Sequence, residues 1–250
     1  MLKASIVIPA YNEENWIGKT LETVEKLNYP NFEVIVVDNA SVDKTSDIVK
    51  TFVKKDPRIK LVREKRKGIL FAREAGRLKA TGTIIVQLDA DCLPEPDWLL
   101  KGVKYFKDPE IVGVSGPYRF YDATPAMRAV MSAITEIGHN AVYWPSNFIP
   151  KLRGKRAITI GGNFFIRAET LEKIGGYDTS INFYSEDADT GYRLSKFGKI
   201  FHKKDLIVDT SARRYKAFGF PTLLKRYTEA FVTVIAGKKL VNNEETIHPR

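Results

Sequence analysis

Three short runs of β-branched and aliphatic residues, each ending on a proline or an aspartate, constrain this chain more than any other feature. Ser5–Pro9, Phe32–Val37 (closing on Asp38) and Thr83–Leu88 (closing on Asp89) read as buried strands, because they are short, apolar and bounded by turn residues. Between the first two, Asn15–Leu27 sets Trp16, Ile17, Leu21, Val24 and Leu27 near helical spacing, and Asn28-Tyr29-Pro30-Asn31 supplies a stop. The pattern then repeats, with helix over Asp43–Val53, strand over Ile59–Val62 and helix over Leu70–Lys79. Strands alternating with helices predict an α/β domain built on a mostly parallel, Rossmann-like sheet with right-handed crossovers, which binds ligands at the carboxyl ends of its strands. Asp38 and Asp89 lie at two such ends.

The second half is less regular. Helix is expected over Trp98–Phe106, Pro125–Ala141, Ala168–Ile174, Ser185–Phe197 and Pro221–Ala236, strand over Ile111–Ser115, and a glycine-broken strand pair over Thr159–Ile166. With 250 residues, 44% of them apolar, and no linker, repeat or low-complexity segment, the chain is expected to be one domain with two functional halves. The N-terminus turns polar too early for a signal peptide, and no apolar run approaches the ~20 residues needed to span a bilayer, so a cytoplasmic location is expected. A net charge of +10 suits an anionic partner without choosing among nucleotide, nucleic acid and lipid. One cysteine excludes an internal disulfide, and three scattered histidines exclude a Cys/His zinc module, so any metal must rely mainly on oxygen ligands.

Five clusters can carry chemistry. Asp89-Ala90-Asp91 places two carboxylates just past a buried strand, where unpaired charge is costly. Mg²⁺ or Mn²⁺ held by such carboxylates and by phosphate oxygens would suit a nucleoside diphosphate, although capping of the next helix also accounts for them. Glu186-Asp187 either caps a helix or aims a general base at a hydroxyl nucleophile. Asp38 either meets a nucleobase or ribose or caps the helix that follows. Lys65-Arg66-Lys67-Gly68 with Arg73, and Arg213-Arg214, could face a diphosphate or simply be solvated. His139 and His202 read as surface or structural residues and not ligands, and Cys92 as packing.

Val7-Ile8-Pro9-Ala10-Tyr11-Asn12-Glu13, Val37-Asp38-Asn39-Ala40-Ser41, Leu88-Asp89-Ala90-Asp91 and Ser185-Glu186-Asp187 stand in the order and spacing of the family 2 glycosyltransferases, which residues 4–215 resemble. The resemblance implies an A-type nucleotide-sugar transferase fold and inverting, metal-dependent transfer from a UDP- or GDP-sugar. By the family's pattern Pro9, Tyr11, Glu13, Asp38 and Arg73 border the nucleotide, and Asp89 and Ala90 the ribose and donor. Asp91 is matched to the metal, Asp187, with Glu186 beside it, to the base, and Asp209 to a position where the family places a histidine ligand. Arg213 and Arg214 are candidates for leaving-group or acceptor contacts. In these terms residues 1–115 form the nucleotide-sugar half, 116–215 the acceptor and catalytic half, and 216–250 an amphipathic helix and tail. Asp-Asp-Gly-Ser of the family reads Asp38-Asn39-Ala40-Ser41, Ala-Arg-Asn reads Ala72-Arg73-Glu74, and the Gln-X-X-Arg-Trp motif of processive synthases is absent, which favours one sugar per encounter.

The other classes are weaker. A nucleotidyltransferase wants a glycine-rich loop after its first strand, and Pro9-Ala10-Tyr11-Asn12-Glu13 has no glycine. A nucleic-acid module would explain the charge, but its basic residues are dispersed and no nucleic acid is expected. A transferase-like protein without catalysis is disfavoured by the intact acid motifs. The last helix, with Leu224, Tyr227, Phe231, Val234 and Ile235 near one side, either packs on the sheet or rests on an anionic membrane presenting a lipid-linked acceptor.

Overall fold

The computed structural model describes residues 1–125, 127–131, 159, 161–181, 186–219, 221–223, 225–226 and 229. Its centre is a seven-stranded sheet of β1 (Ala4–Ala10), β2 (Phe32–Asp38), β3 (Ile59–Arg63), β4 (Ile84–Leu88), β6 (Ile111–Ser115), β8 (Asn163–Arg167) and β9 (Lys199–His202). The spatial order is β3-β2-β1-β4-β8-β6-β9. All neighbours are parallel except β8, which runs antiparallel between β4 and β6. A three-stranded sheet of β5 (Leu93–Pro94), β10 (Val208–Thr210) and β7 (Tyr118–Phe120) lies beside it.

Alternation along the strands divides the core into two layers. Ile6, Ile8, Val34 and Val36 face one layer, while Val7, Ile35 and Val37 face the other. The first is covered by α1 (Ile17–Val24), α2 (Thr45–Lys55) and α4 (Trp98–Lys104), through Leu21, Phe52 and Trp98. The second is covered by α3 (Ile69–Lys79), α5 (Ala168–Lys173) and α6 (Glu186–Leu194), through Leu70, Leu171 and Leu194. Strands buried on both faces carry nearly continuous apolar sequence, which is why they were legible as runs.

Three expectations change. Thr159–Ile166 is no strand pair: Gly161-Gly162 forms a turn, and Asn163–Arg167 is a single strand sealed on both edges by β4 and β6. The first helix is shorter than Asn15–Leu27, because the Trp16 and Ile17 amides turn back to the Glu13 carbonyl before it begins. The helix expected over Ser185–Phe197 is Glu186–Leu194, followed by a turn. Most of Pro125–Ala141 and of Pro221–Ala236 lies outside the described residues, as does His139. Within them, Met131, with Met127 against it, packs on Phe120, Ala123 and Ala212. A short α7 (Arg213–Phe218) follows β10.

Candidate active site

The carboxyl ends of β1, β2 and β4 lie along one edge of the sheet. Because β8 is antiparallel, with Asn163 opposite Leu88, its beginning comes to the same edge. Sequence segments far apart therefore converge there: Tyr11–Glu13, Asp38, Asp89–Cys92, Gly161-Gly162 and, from α6, Glu186-Asp187.

Asp89, Asp91 and Cys92 bring one ligand atom each to within 4.8 Å of one another. Burial pushes the Asp91 carboxyl above the usual carboxylate range, with Asp89's charge adding to it, despite the opposing charges of Arg213 and Arg214. The charge of Asp91 is thus not fully offset by its protein partners. Burial also pushes the Cys92 thiol well up, so it stays protonated and is a poor ligand. Two hard carboxylates remain, which fit Mg²⁺ or Mn²⁺ completed by phosphate oxygens. Asp91 also accepts from Thr210 Oγ1 at 3.3 Å and meets Arg213 Nε at 3.0 Å. The same guanidinium forks onto Glu13 at 2.7 and 2.6 Å and lies over the Trp16 ring at 5.7 Å. Burial raises the Glu13 carboxyl to about 7, with the Arg213 hydrogen bonds opposing it.

A second knot lies beside the first. Arg73, on α3, is 3% exposed and donates Nη1 to Asp187 Oδ1 at 2.9 Å. Glu186 Oε1 and Asp89 Oδ1 each lie 3.8 Å from the guanidinium. The second Asp187 oxygen accepts the Gly161 amide at 2.8 Å, and its carbonyl accepts Thr159 Oγ1 at 2.8 Å. Burial pushes both Glu186 and Asp187 upward; Asp187's charge adds to the rise of Glu186, and Arg73 opposes both shifts. Burial works against the Arg73 charge too, but the surrounding carboxylates prevail and hold the guanidinium firmly protonated. Arg73 Nε, Glu186 Oε2 and Gln87 Oε1 are buried without a hydrogen-bond partner.

The edge does not use every expected residue in the same way. Asp38 is buried and spends both oxygens on the fold, accepting the Ser41 amide at 3.0 Å and Ser46 Oγ at 2.6 Å. Asn39 donates to the carbonyls of Glu64 and Arg66 and accepts the Gly68 amide. That pattern ties the basic loop to the end of β2, and a carboxylate could not donate to those carbonyls. Lys67 of that loop lies 5.3 Å above the Tyr11 ring. Pro9 is part of β1, and Ala90 is buried and accepts Thr20 Oγ1 at its carbonyl. Arg214 contributes positive charge toward Asp91 and Glu186. Asp209, in β10, is paired with Arg119 at 2.5 Å and is not one of the three converging residues Asp89, Asp91 and Cys92. His202 is hydrogen-bonding distance from Ser115, at 3.1 Å.

Several contributors escaped the sequence. Tyr118 donates to Asp89 Oδ2 at 3.0 Å, and Thr210 meets Asp91, both from short strands without periodicity. Gly161 and Gly162 are required by close approach: a Cβ on the first would overlap the Asp187 carboxylate, and one on the second would overlap Asp89 and the Tyr118 hydroxyl. The adjacent glycines were visible, but not what they approach.

The family model described as "Glycosyl transferase family 2" matches residues 5–175. A "Probable glycosyltransferase YdaM" of Bacillus subtilis is 32% identical over 205 residues, 78% of this chain and 47% of that protein. A Methanococcus voltae dolichyl N-acetyl-α-D-glucosaminyl phosphate diacetamido-dideoxy-glucuronosyltransferase is 32% identical over 121 residues, 45% of this chain and 38% of that protein. Among solved structures, a Pyrobaculum calidifontis mannosyltransferase in complex with GDP-Man and Mn²⁺ superposes with a TM-score of 0.70 at 25% identity, covering 92% of this chain and 64% of that one. The chain thus spans about a third to two thirds of the length of these proteins.

Proposed function

We propose, from the premise that the chain belongs to glycosyl transferase family 2, that it transfers one sugar per encounter from a UDP- or GDP-sugar to a hydroxyl or phosphate acceptor, with inversion. The observation that carries the reading is the meeting, at one sheet edge, of a converging acid pair, Asp89 and Asp91, with a separate buried carboxylate, Asp187. Asp91, with Asp89, would hold a divalent cation, Mn²⁺ or Mg²⁺, whose chemistry when bound is to offset the charge of the departing diphosphate. The Mn²⁺ of the Pyrobaculum neighbour supports that choice of ion. Asp187 takes the proton of the acceptor hydroxyl as its oxygen attacks the anomeric carbon opposite the leaving group. Its upward shift brings it nearer working pH, where a general base is most effective. Arg213 and Arg214 supply positive charge where the leaving diphosphate would emerge.

The acceptor is read as lipid-linked, on the strength of the dolichyl phosphate in the name of the Methanococcus relative and the net charge of +10. No helix among the described residues is long and apolar enough to cross a membrane. Attachment to an anionic membrane surface would then be peripheral and salt-sensitive. A thermal-shift screen of UDP-, GDP- and dTDP-sugars with Mn²⁺ or Mg²⁺ tests the reading, since a ligand that binds only the folded state raises its apparent stability. A cation-dependent rise with one donor class is expected; no shift with any sugar nucleotide would refute the reading.

A further inference from the structure

We infer that Arg73 and the Gly161 amide form a two-sided clamp that positions the Asp187 carboxylate, so that Arg73 serves the base and not the donor diphosphate. This rests on Asp187 being the base, as proposed above. The family's pattern sets Arg73 beside the nucleotide, but the residue is 3% exposed and lies among Asp187, Glu186 and Asp89. An exposure of 3% leaves little of the guanidinium for a diphosphate arriving from solvent.

The clamp holds one carboxylate oxygen from each side. Arg73 Nη1 binds Oδ1 at 2.9 Å, the Gly161 amide binds Oδ2 at 2.8 Å, and Thr159 Oγ1 pins the Asp187 carbonyl at 2.8 Å. Each carboxylate oxygen keeps a second lone pair, so the group remains able to accept a proton. Only glycine at 161 lets the backbone come close enough to donate, since a Cβ there would overlap the carboxylate. Arg73 Nη2 reaches Asp89 Oδ1 at 3.8 Å, so one guanidinium spans the metal-side and the base-side acids. Of the three carboxylates around Arg73, Asp187 is the one within hydrogen-bond distance, at 2.9 Å against 3.8 Å for Asp89 and Glu186, while Arg73 Nε and Glu186 Oε2 have no hydrogen-bond partner among the described residues. Misplacing a reacting group by an ångström can cost on the order of 100-fold in rate, which sets the effect to look for.

The test combines Arg73→Gln, Arg73→Lys and Gly161→Ala with Asp187→Asn. Affinity is read by calorimetry with GDP or UDP and Mn²⁺. Turnover is read as hydrolysis of whichever of GDP-mannose and UDP-N-acetylglucosamine the wild type consumes. Arg73→Gln should lower kcat by on the order of 100-fold while nucleotide affinity moves less than about threefold, and Arg73→Lys should recover part of the loss. Gly161→Ala should show the same split, the Arg73→Gln/Gly161→Ala double variant should be little worse than the poorer single one, and neither change should matter further in Asp187→Asn. A tenfold or greater loss of nucleotide affinity in Arg73→Gln would make Arg73 a donor contact and overturn the inference. So would losses that multiply and persist in Asp187→Asn, which mark a purely structural role. If Arg73→Gln does not fold, Arg73→Lys and Gly161→Ala carry the same comparison. If the wild type neither binds a nucleotide nor consumes a donor, the proposed function itself fails and the clamp falls with it, a result told apart by the wild-type arm alone.

Discussion

Replacing Arg213 with methionine keeps most of the stem that lies over Trp16 but removes the cation shared by Glu13 and Asp91. Breaking one partner of a buried ion pair costs about 3–5 kcal/mol. The Arg213 and Glu13 side chains retain 23% and 13% exposure, so roughly half of that, ~2 kcal/mol, is the reasonable figure at pH 8. For a chain of this size, that corresponds to a fall in Tm of about 4–8 °C. The loss should depend on pH in a definite direction. Burial has already raised Glu13 from 4.5 to about 7, so its contribution to stability is complete below the unfolded value and is lost as pH rises through the folded one. Without Arg213, which opposes that shift, the folded pKa climbs further and the loss extends to higher pH. Thermal unfolding in EDTA should therefore separate wild type and Arg213→Met by only about 2–3 °C at pH 6 and by the full amount at pH 8. Equal differences at the two pH values, or a larger one at pH 6, would refute the assignment of Arg213 as the counter-charge of buried carboxylates.

Other outcomes follow from single contacts. Gly162→Ala sets a Cβ against Asp89 and the Tyr118 hydroxyl, and should weaken Mn²⁺-dependent nucleotide binding about tenfold or more while costing about 1–3 kcal/mol in a denaturant titration. Asn39→Asp removes donors from the Glu64 and Arg66 carbonyls, and should cost about 2–4 kcal/mol and speed proteolysis in the 64–68 loop. Ala40 sits at φ 60°, where glycine is unstrained, so Ala40→Gly should raise stability by roughly 0.5–1 kcal/mol in the same titration. Flotation with anionic vesicles should carry the protein at low salt and release it at high salt; no flotation at low salt would favour a soluble acceptor.

The parts legible in the sequence are those where one local signal agrees with the tertiary outcome. β1, β2 and β4 are covered on both faces and announce themselves as apolar runs, and Asp38 and Asp89 close the second and third of them at once. β5, β7 and β10 are two or three residues long and owe their form to pairing with one another, which no local periodicity records. The antiparallel entry of β8 is likewise a property of the sheet, yet it is what carries Gly161 to Asp187. Arg73 shows the limit most clearly. Its identity and helical setting were visible, but its burial among three carboxylates was not, and burial decides whether it can face a diphosphate. Asp209 is the converse: its place in the chain suggested a metal ligand, and the fold gives its carboxylate to Arg119.

The central claim is that Asp89 and Asp91 bind a sugar nucleotide through a divalent cation, and calorimetric titration of GDP and UDP into wild type and Asp91→Asn, each with Mn²⁺ and with EDTA, tests it most directly. One of the two nucleotides should bind wild type saturably with Mn²⁺, and that binding should weaken at least about tenfold in EDTA and equally in Asp91→Asn, while a cooperative thermal transition shows that the variant is folded. Binding of the same strength in EDTA, or in Asp91→Asn with Mn²⁺, would contradict the claim.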